Sequence, residues 1–129
     1  MKIEHIAFWV EDLDKAKDFY LTYFDMIASE RYHNPVKKFT SYFLSFKEGG
    51  ARIELMHRPD IIATTGQRGL MTGITHLAIS VGSKEQVDLL TERLRADGFT
   101  ITGEPRTTGD GYYESVVLDT EGNLVEITE

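Results

Sequence analysis

The chain has 129 residues, 41% of them hydrophobic and 27% charged, which suits one globular domain with an aromatic-rich core. A formal net charge of −7 argues against a nucleic-acid partner, because phosphate binding needs a basic face. The absence of cysteine excludes disulfides, thiolate ligands and cysteine nucleophiles, and fits a reducing compartment. No segment has the pattern of a signal peptide or a membrane span: Lys2 and Glu4 interrupt the first apolar run. The expectation is a soluble, cytoplasmic protein without a membrane partner.

Residues 2–10, rich in β-branched and aromatic side chains and closed by Glu11-Asp12, are expected to form a strand. Asp12 has the chemistry of an N-cap, and Leu13, Ala16, Phe19, Tyr20, Tyr23 and Phe24 then recur at helical spacing. A strand over 26–32 is expected to stop at His33-Asn34-Pro35. Further strands fall at 38–46 and 51–57, joined by the turn Glu48-Gly49-Gly50. Residues 58–72 are polar and read either as a solvated linker or as an arm that closes over a site or a partner chain. The order then repeats. A strand spans 73–81. A helix follows, with Ser83 and Gln86 at capping-box spacing, Val87, Leu90 and Leu94 as its apolar stripe, and Gly98 as its C-terminal cap. Short strands are expected near 99–103, 112–119 and 123–128, the last two joined at Glu121-Gly122-Asn123. The chain is therefore expected to be one domain, 1–129, built from two βαβββ modules, 1–57 and 73–129.

The repeat is visible in the residues themselves. Ile3-Glu4-His5-Ile6-Ala7 returns as Ile74-Thr75-His76-Leu77-Ala78, and Arg52-Ile53-Glu54-Leu55 returns as Leu124-Val125-Glu126-Ile127. Side chains alternate along a strand. Ile6, Phe8 and Val10 should lie under a helix, which puts His5, Ala7 and Trp9 on the other face. The same parity separates His76 from Leu77 and Ile79, Glu54 from Ile53 and Leu55, and Glu126 from Val125 and Ile127. His5, Glu54, His76 and Glu126 thus share the face away from the helices, and they converge if the modules pair about a pseudo-twofold axis. Two imidazoles and two carboxylates are donors for one divalent metal ion. Without a cation, two neighbouring buried glutamates would repel. His57 falls on the apolar parity and His33 beside a turn, so neither is read as a ligand.

The βαβββ repeat, the opening run from His5 to Tyr20 and the closing run Leu118-Asp119-Thr120-Glu121-Gly122-Asn123-Leu124-Val125-Glu126-Ile127 resemble the vicinal oxygen chelate superfamily of glyoxalase I, bleomycin-resistance proteins and extradiol dioxygenases. The resemblance covers the whole chain. It implies an α+β fold in which the two modules form a curved mixed sheet with the helices on its outer face. A complete His-Glu-His-Glu set is most similar to glyoxalase I, whereas extradiol dioxygenases and fosfomycin-resistance enzymes have no ligand at the position of Glu54. The implied cofactor is one divalent ion, nickel, zinc, cobalt or manganese, held by His5, Glu54, His76 and Glu126. The implied reaction moves a proton beside a carbonyl of a small oxygenated substrate through a metal-stabilised enediolate. Glu126 matches the family's usual base, and Glu54 is the candidate for the complementary transfer.

Two positions depart from glyoxalase I. Trp9 stands where an arginine usually helps to hold the glutathione carboxylate, and Arg58 stands where an asparagine is common. Both leave the glutathione part of the resemblance unsupported, and Trp9 is instead a candidate wall of an apolar pocket. Arg106 is a candidate for an anionic substrate group, and one of Tyr112 and Tyr113 must face the site. The competing readings are a protein that sequesters a planar ligand, as bleomycin-resistance relatives do, and, less well supported, an iron-dependent dioxygenase. The apolar sheet face is too large to leave exposed, which points to a homodimer.

Overall fold

The computed structural model describes residues 1–63 and 68–129. Part of the polar segment expected to join the modules, Thr64-Thr65-Gly66-Gln67, lies outside the described residues. The chain divides into two compact units, Met1–Thr64 and Thr65–Glu129.

The first unit runs β1 (His5–Trp9), α1 (Leu13–Tyr23), β2 (Ile27–Ala28), β3 (Tyr32–Asn34), β4 (Phe39–Ser45) and β5 (Arg52–His57). Asp12 caps α1 by accepting from the Lys15 backbone N–H at 3.0 Å. The sheet has the order β1-β5-β4-β2, with β3 also on β4. β1 runs parallel to β5, and the remaining pairs are antiparallel. Leu13, Ala16, Phe19 and Tyr20 of α1 are buried with Leu44, Ile53 and Leu55 of the sheet. The helix is tied down at its polar margin, where the Tyr42 hydroxyl donates to Asp14 at 3.0 Å.

The strand expected over 26–32 is two pieces, and the second runs on through Asn34. The cause is local. The Ser29 hydroxyl accepts from the Phe43 N–H at 3.0 Å, while the Ser29 N–H donates to the Phe43 carbonyl at 2.8 Å. A side chain thus takes a backbone carbonyl's place in the ladder, and the chain swings out between β2 and β3.

The second unit runs β6 (His76–Ser80), α2 (Lys84–Ala96), β7 (Ile101–Thr107), β8 (Tyr113–Leu118) and β9 (Leu124–Thr128), with sheet order β6-β9-β8-β7. Again the first and last strands pair in parallel. Ser83 accepts from the Gln86 N–H as the capping spacing predicts, and Gly98 ends α2 in the left-handed region at φ 88°. The final turn is held by Asp119, whose carboxylate accepts from the backbone of Glu121 and Asn123 and from the Asn123 side-chain amide at 2.8–2.9 Å. The fold is α+β with mixed sheets and one helix against each.

Under α2 lies a buried polar pair. Thr91 donates to the Val87 carbonyl at 2.6 Å, which leaves Ser115 to donate to the Thr91 oxygen, also at 2.6 Å. Thr91→Val deprives the buried Ser115 hydroxyl of its acceptor and should cost about 1–3 kcal/mol in denaturant unfolding. The double variant Thr91→Val/Ser115→Ala should lose less than the sum of the two single changes; strict additivity would show that the pair is not coupled.

Candidate metal and substrate site

The two parallel strand pairs place the candidate ligands by the same rule. In the first unit His5 lies opposite Arg52 and Ala7 opposite Glu54; in the second, His76 lies opposite Leu124 and Ala78 opposite Glu126. Each glutamate is therefore two residues further along than the partner of its histidine, on the same face, next to an alanine whose methyl leaves the face open. His5 Nε2 stands 3.8 Å from Glu54 Oε2, and His76 Nε2 stands 3.6 Å from Glu126 Oε2. The carboxylates are only 15% and 16% exposed, while their histidines are 39% and 45% exposed.

Both separations are too long for a hydrogen bond. Neighbouring nitrogen and oxygen ligands about 2.1 Å from one divalent ion are about 3.0–3.4 Å apart, so each pair would have to close by up to about 0.8 Å to share one. The donors, neutral imidazole and carboxylate, suit a borderline divalent cation. Among the described residues no group of three or more His, Asp or Glu side chains is gathered as a metal site; each unit contributes one pair.

The environments of the two pairs differ. The His5 Nδ1 contacts the Glu4 carboxylate, and Arg52 grips the same carboxylate. Glu4 is held below the usual range by the hydrogen bond from His5 and by Arg52. Trp9 shares the face of His5 and packs edge-on to Phe39, with ring centroids 6.2 Å apart. The Arg58 guanidinium lies 5.8 Å from the Trp9 ring and is paired with Asp60. The two other histidines of the first unit serve the fold: His57 donates to the Val10 carbonyl at 2.9 Å, and His33 lies 3.1 Å from the Thr40 hydroxyl.

In the second unit, Arg106 of β7 lies opposite Glu114 of β8, and Glu114 shares the face of Glu126. Burial and the neighbouring Glu126 push the Glu114 carboxyl up, with Arg106 opposing them. Glu114 is the site residue that sequence reasoning missed. Its alternation with the buried Ser115 and Val117 carried the signal, but the pairing of β8 with β9 was needed to read it. Tyr113 points to the other face, where its hydroxyl donates to Asp88 of α2 at 2.8 Å and Lys84 lies over its ring. Tyr112, one residue before the strand, is exposed.

Residues 2–127 match the model of the Glyoxalase/Bleomycin resistance protein/Dioxygenase superfamily. The chain is 29% identical over 128 residues to a lactoylglutathione lyase of Arabidopsis thaliana, covering 97% of this chain and 43% of that enzyme. It is 26% identical to an uncharacterised protein of Bacillus subtilis, covering 97% and 96% of the two chains. Among solved structures it resembles glyoxalase I from Zea mays, at 26% identity and a TM-score of 0.77, over 98% of this chain and 44% of that one. A glyoxylase/bleomycin resistance protein/dioxygenase domain from Frankia sp. superposes with a TM-score of 0.80 at 21% identity, over 99% and 96% of the two chains. The chain thus spans under half the length of the plant enzymes it matches.

The raised Glu114 has a consequence for stability. A carboxyl whose folded value lies above its unfolded value favours the folded state while protonated, and that contribution is lost as pH rises through the folded value. Glu114→Gln should therefore raise the melting temperature of metal-free protein at about pH 7 and leave it little changed near pH 4. A lowered melting temperature at neutral pH would show that the Glu114 charge is compensated.

Proposed function

The chain belongs to the glyoxalase/bleomycin resistance protein/dioxygenase superfamily, and from that premise we propose that it is a divalent-metal-dependent lyase or isomerase of glyoxalase type. The observation that carries this reading is the matched His–Glu pair, set in identical strand register in both units. We propose His5, Glu54, His76 and Glu126 as the ligands of one ion: nickel, cobalt, manganese or zinc. The full set requires a first unit paired with a second, either within one chain or across a homodimer that joins one protomer's His5 and Glu54 to the partner's His76 and the partner's Glu126. The bound ion would supply Lewis acidity to the substrate oxygens.

The chain's own residues do the rest. Glu126 removes the proton beside the carbonyl and Glu54 serves the complementary transfer, each being a carboxylate on an open strand face within reach of carbon. Glu114 stands beside Glu126 on the same strand face, where burial and the neighbouring Glu126 push its carboxyl up. Arg106 attracts an anionic substrate group, Trp9 walls the apolar side, and Tyr112 is the tyrosine left for substrate contact. The substrate is a small oxygenated molecule. The plant relatives are named for lactoylglutathione, so the methylglyoxal–glutathione hemithioacetal is the first compound to assay. Trp9, with its place in the aromatic group of Trp9, Phe39 and Tyr32, supports the second reading, a protein that sequesters a planar ligand.

Metal analysis separates the two. Protein purified without chelator should carry a divalent ion, lose activity on dialysis against a chelator and regain it with nickel or cobalt. Glu126→Gln should lower kcat by about 10²–10⁴-fold. No uptake of nickel, cobalt or zinc by the wild-type chain would overturn the enzyme reading in favour of sequestration.

A further inference from the structure

The two halves repeat their ligands but not the surroundings of those ligands. Around His5 three side chains close a ring of contacts with it. Glu4 touches His5 Nδ1, Arg52 pairs with Glu4, the Arg52 guanidinium lies 4.2 Å from the centre of the Phe43 ring, and Phe43 meets the His5 ring edge-on at 5.4 Å. The backbone seals the same ring, since the Arg52 N–H donates to the Glu4 carbonyl at 3.0 Å. The echo places Thr75 where Glu4 stands and Leu124 where Arg52 stands. Strand register places Val116 against Glu126, as Phe43 lies against Glu54. None of the three residues around His76 can reproduce an ionic or aromatic contact.

We propose that Glu4, held by Arg52, is a positioning residue that fixes His5 for ligation through Nε2. The proposal rests on the metal reading above. An ionised carboxylate only accepts, so the contact puts the His5 proton on Nδ1 and leaves the Nε2 lone pair directed toward Glu54. Phe43 bars rotation of the ring on one side. A carboxylate behind a ligating imidazole also makes it a better donor. The first half-site is therefore held from behind before any ion arrives, whereas Thr75, Leu124 and Val116 supply no such clamp in the second.

The test imports the second half's residues into the first, as Glu4→Thr and Arg52→Leu, in the whole 129-residue chain. Two readouts are needed: the His5 tautomer from nitrogen NMR of the metal-free protein, and Zn²⁺ affinity from competition with a chromophoric chelator. Wild-type His5 should show the Nδ1–H form, and both variants should lose it. Their Zn²⁺ affinity should fall about 10–100-fold with little change in melting temperature. Glu4→Gln, which keeps an acceptor, should lose less. Unchanged tautomer and affinity in both variants would overturn the clamp alone. A wild-type chain that takes up no Zn²⁺ would overturn the metal reading and the proposal with it.

Discussion

Everything at the candidate site depends on parallel pairing between the first and last strands of each unit. Parallel register holds Ala7 opposite Glu54 and Ala78 opposite Glu126, and so sets each glutamate diagonally across from its histidine. A slip of one residue would turn the glutamate under the helix, where an ionised carboxylate is costly, and would bring a valine or isoleucine to the open face. Core and site are therefore fixed together. Ile53, Leu55, Val125 and Ile127, which bury the helix side, are the immediate neighbours of the two carboxylates.

Parallel strands need a crossover, and the helices supply it. Each helix is capped at its start by an oxygen from Asp12 or Ser83 and rests on the sheet through an apolar stripe. The turn before β9 does for Glu126 what no crossover does. The three acceptor bonds of Asp119 fix the chain's reversal, and that reversal sets where Leu124 begins to pair.

Local chemistry made much of this legible in the sequence. Alternation within a strand is a property of neighbours, so the shared faces of His5 and Trp9 could be read directly. Capping is equally local, and Asp12, Ser83 and Gly98 act as their spacing implies. What escaped was set by pairing between distant segments. Glu114 joins Glu126 through the alignment of β8 with β9, and Glu4 meets Arg52 across 48 residues. The break at Ser29 belongs to the same class, because a serine hydroxyl enters the ladder only when Phe43 is beside it. The orientation of Tyr113 required the position of Asp88 on α2.

The interrupted strands at one edge of each sheet bear on how the protein behaves in crowded solution. In the first unit that edge is cut into β2 and β3, with Pro35 just beyond. In the second, β7 carries two irregularities around Gly103, and Pro105, which has no N–H to offer, lies within it. A long, flat row of free donors and acceptors invites another chain to add a strand and so begin an aggregate. Neither of these borders offers one. Growth by edge-to-edge templating is blocked there by the backbone itself, and the open sheet faces remain free to carry chemistry.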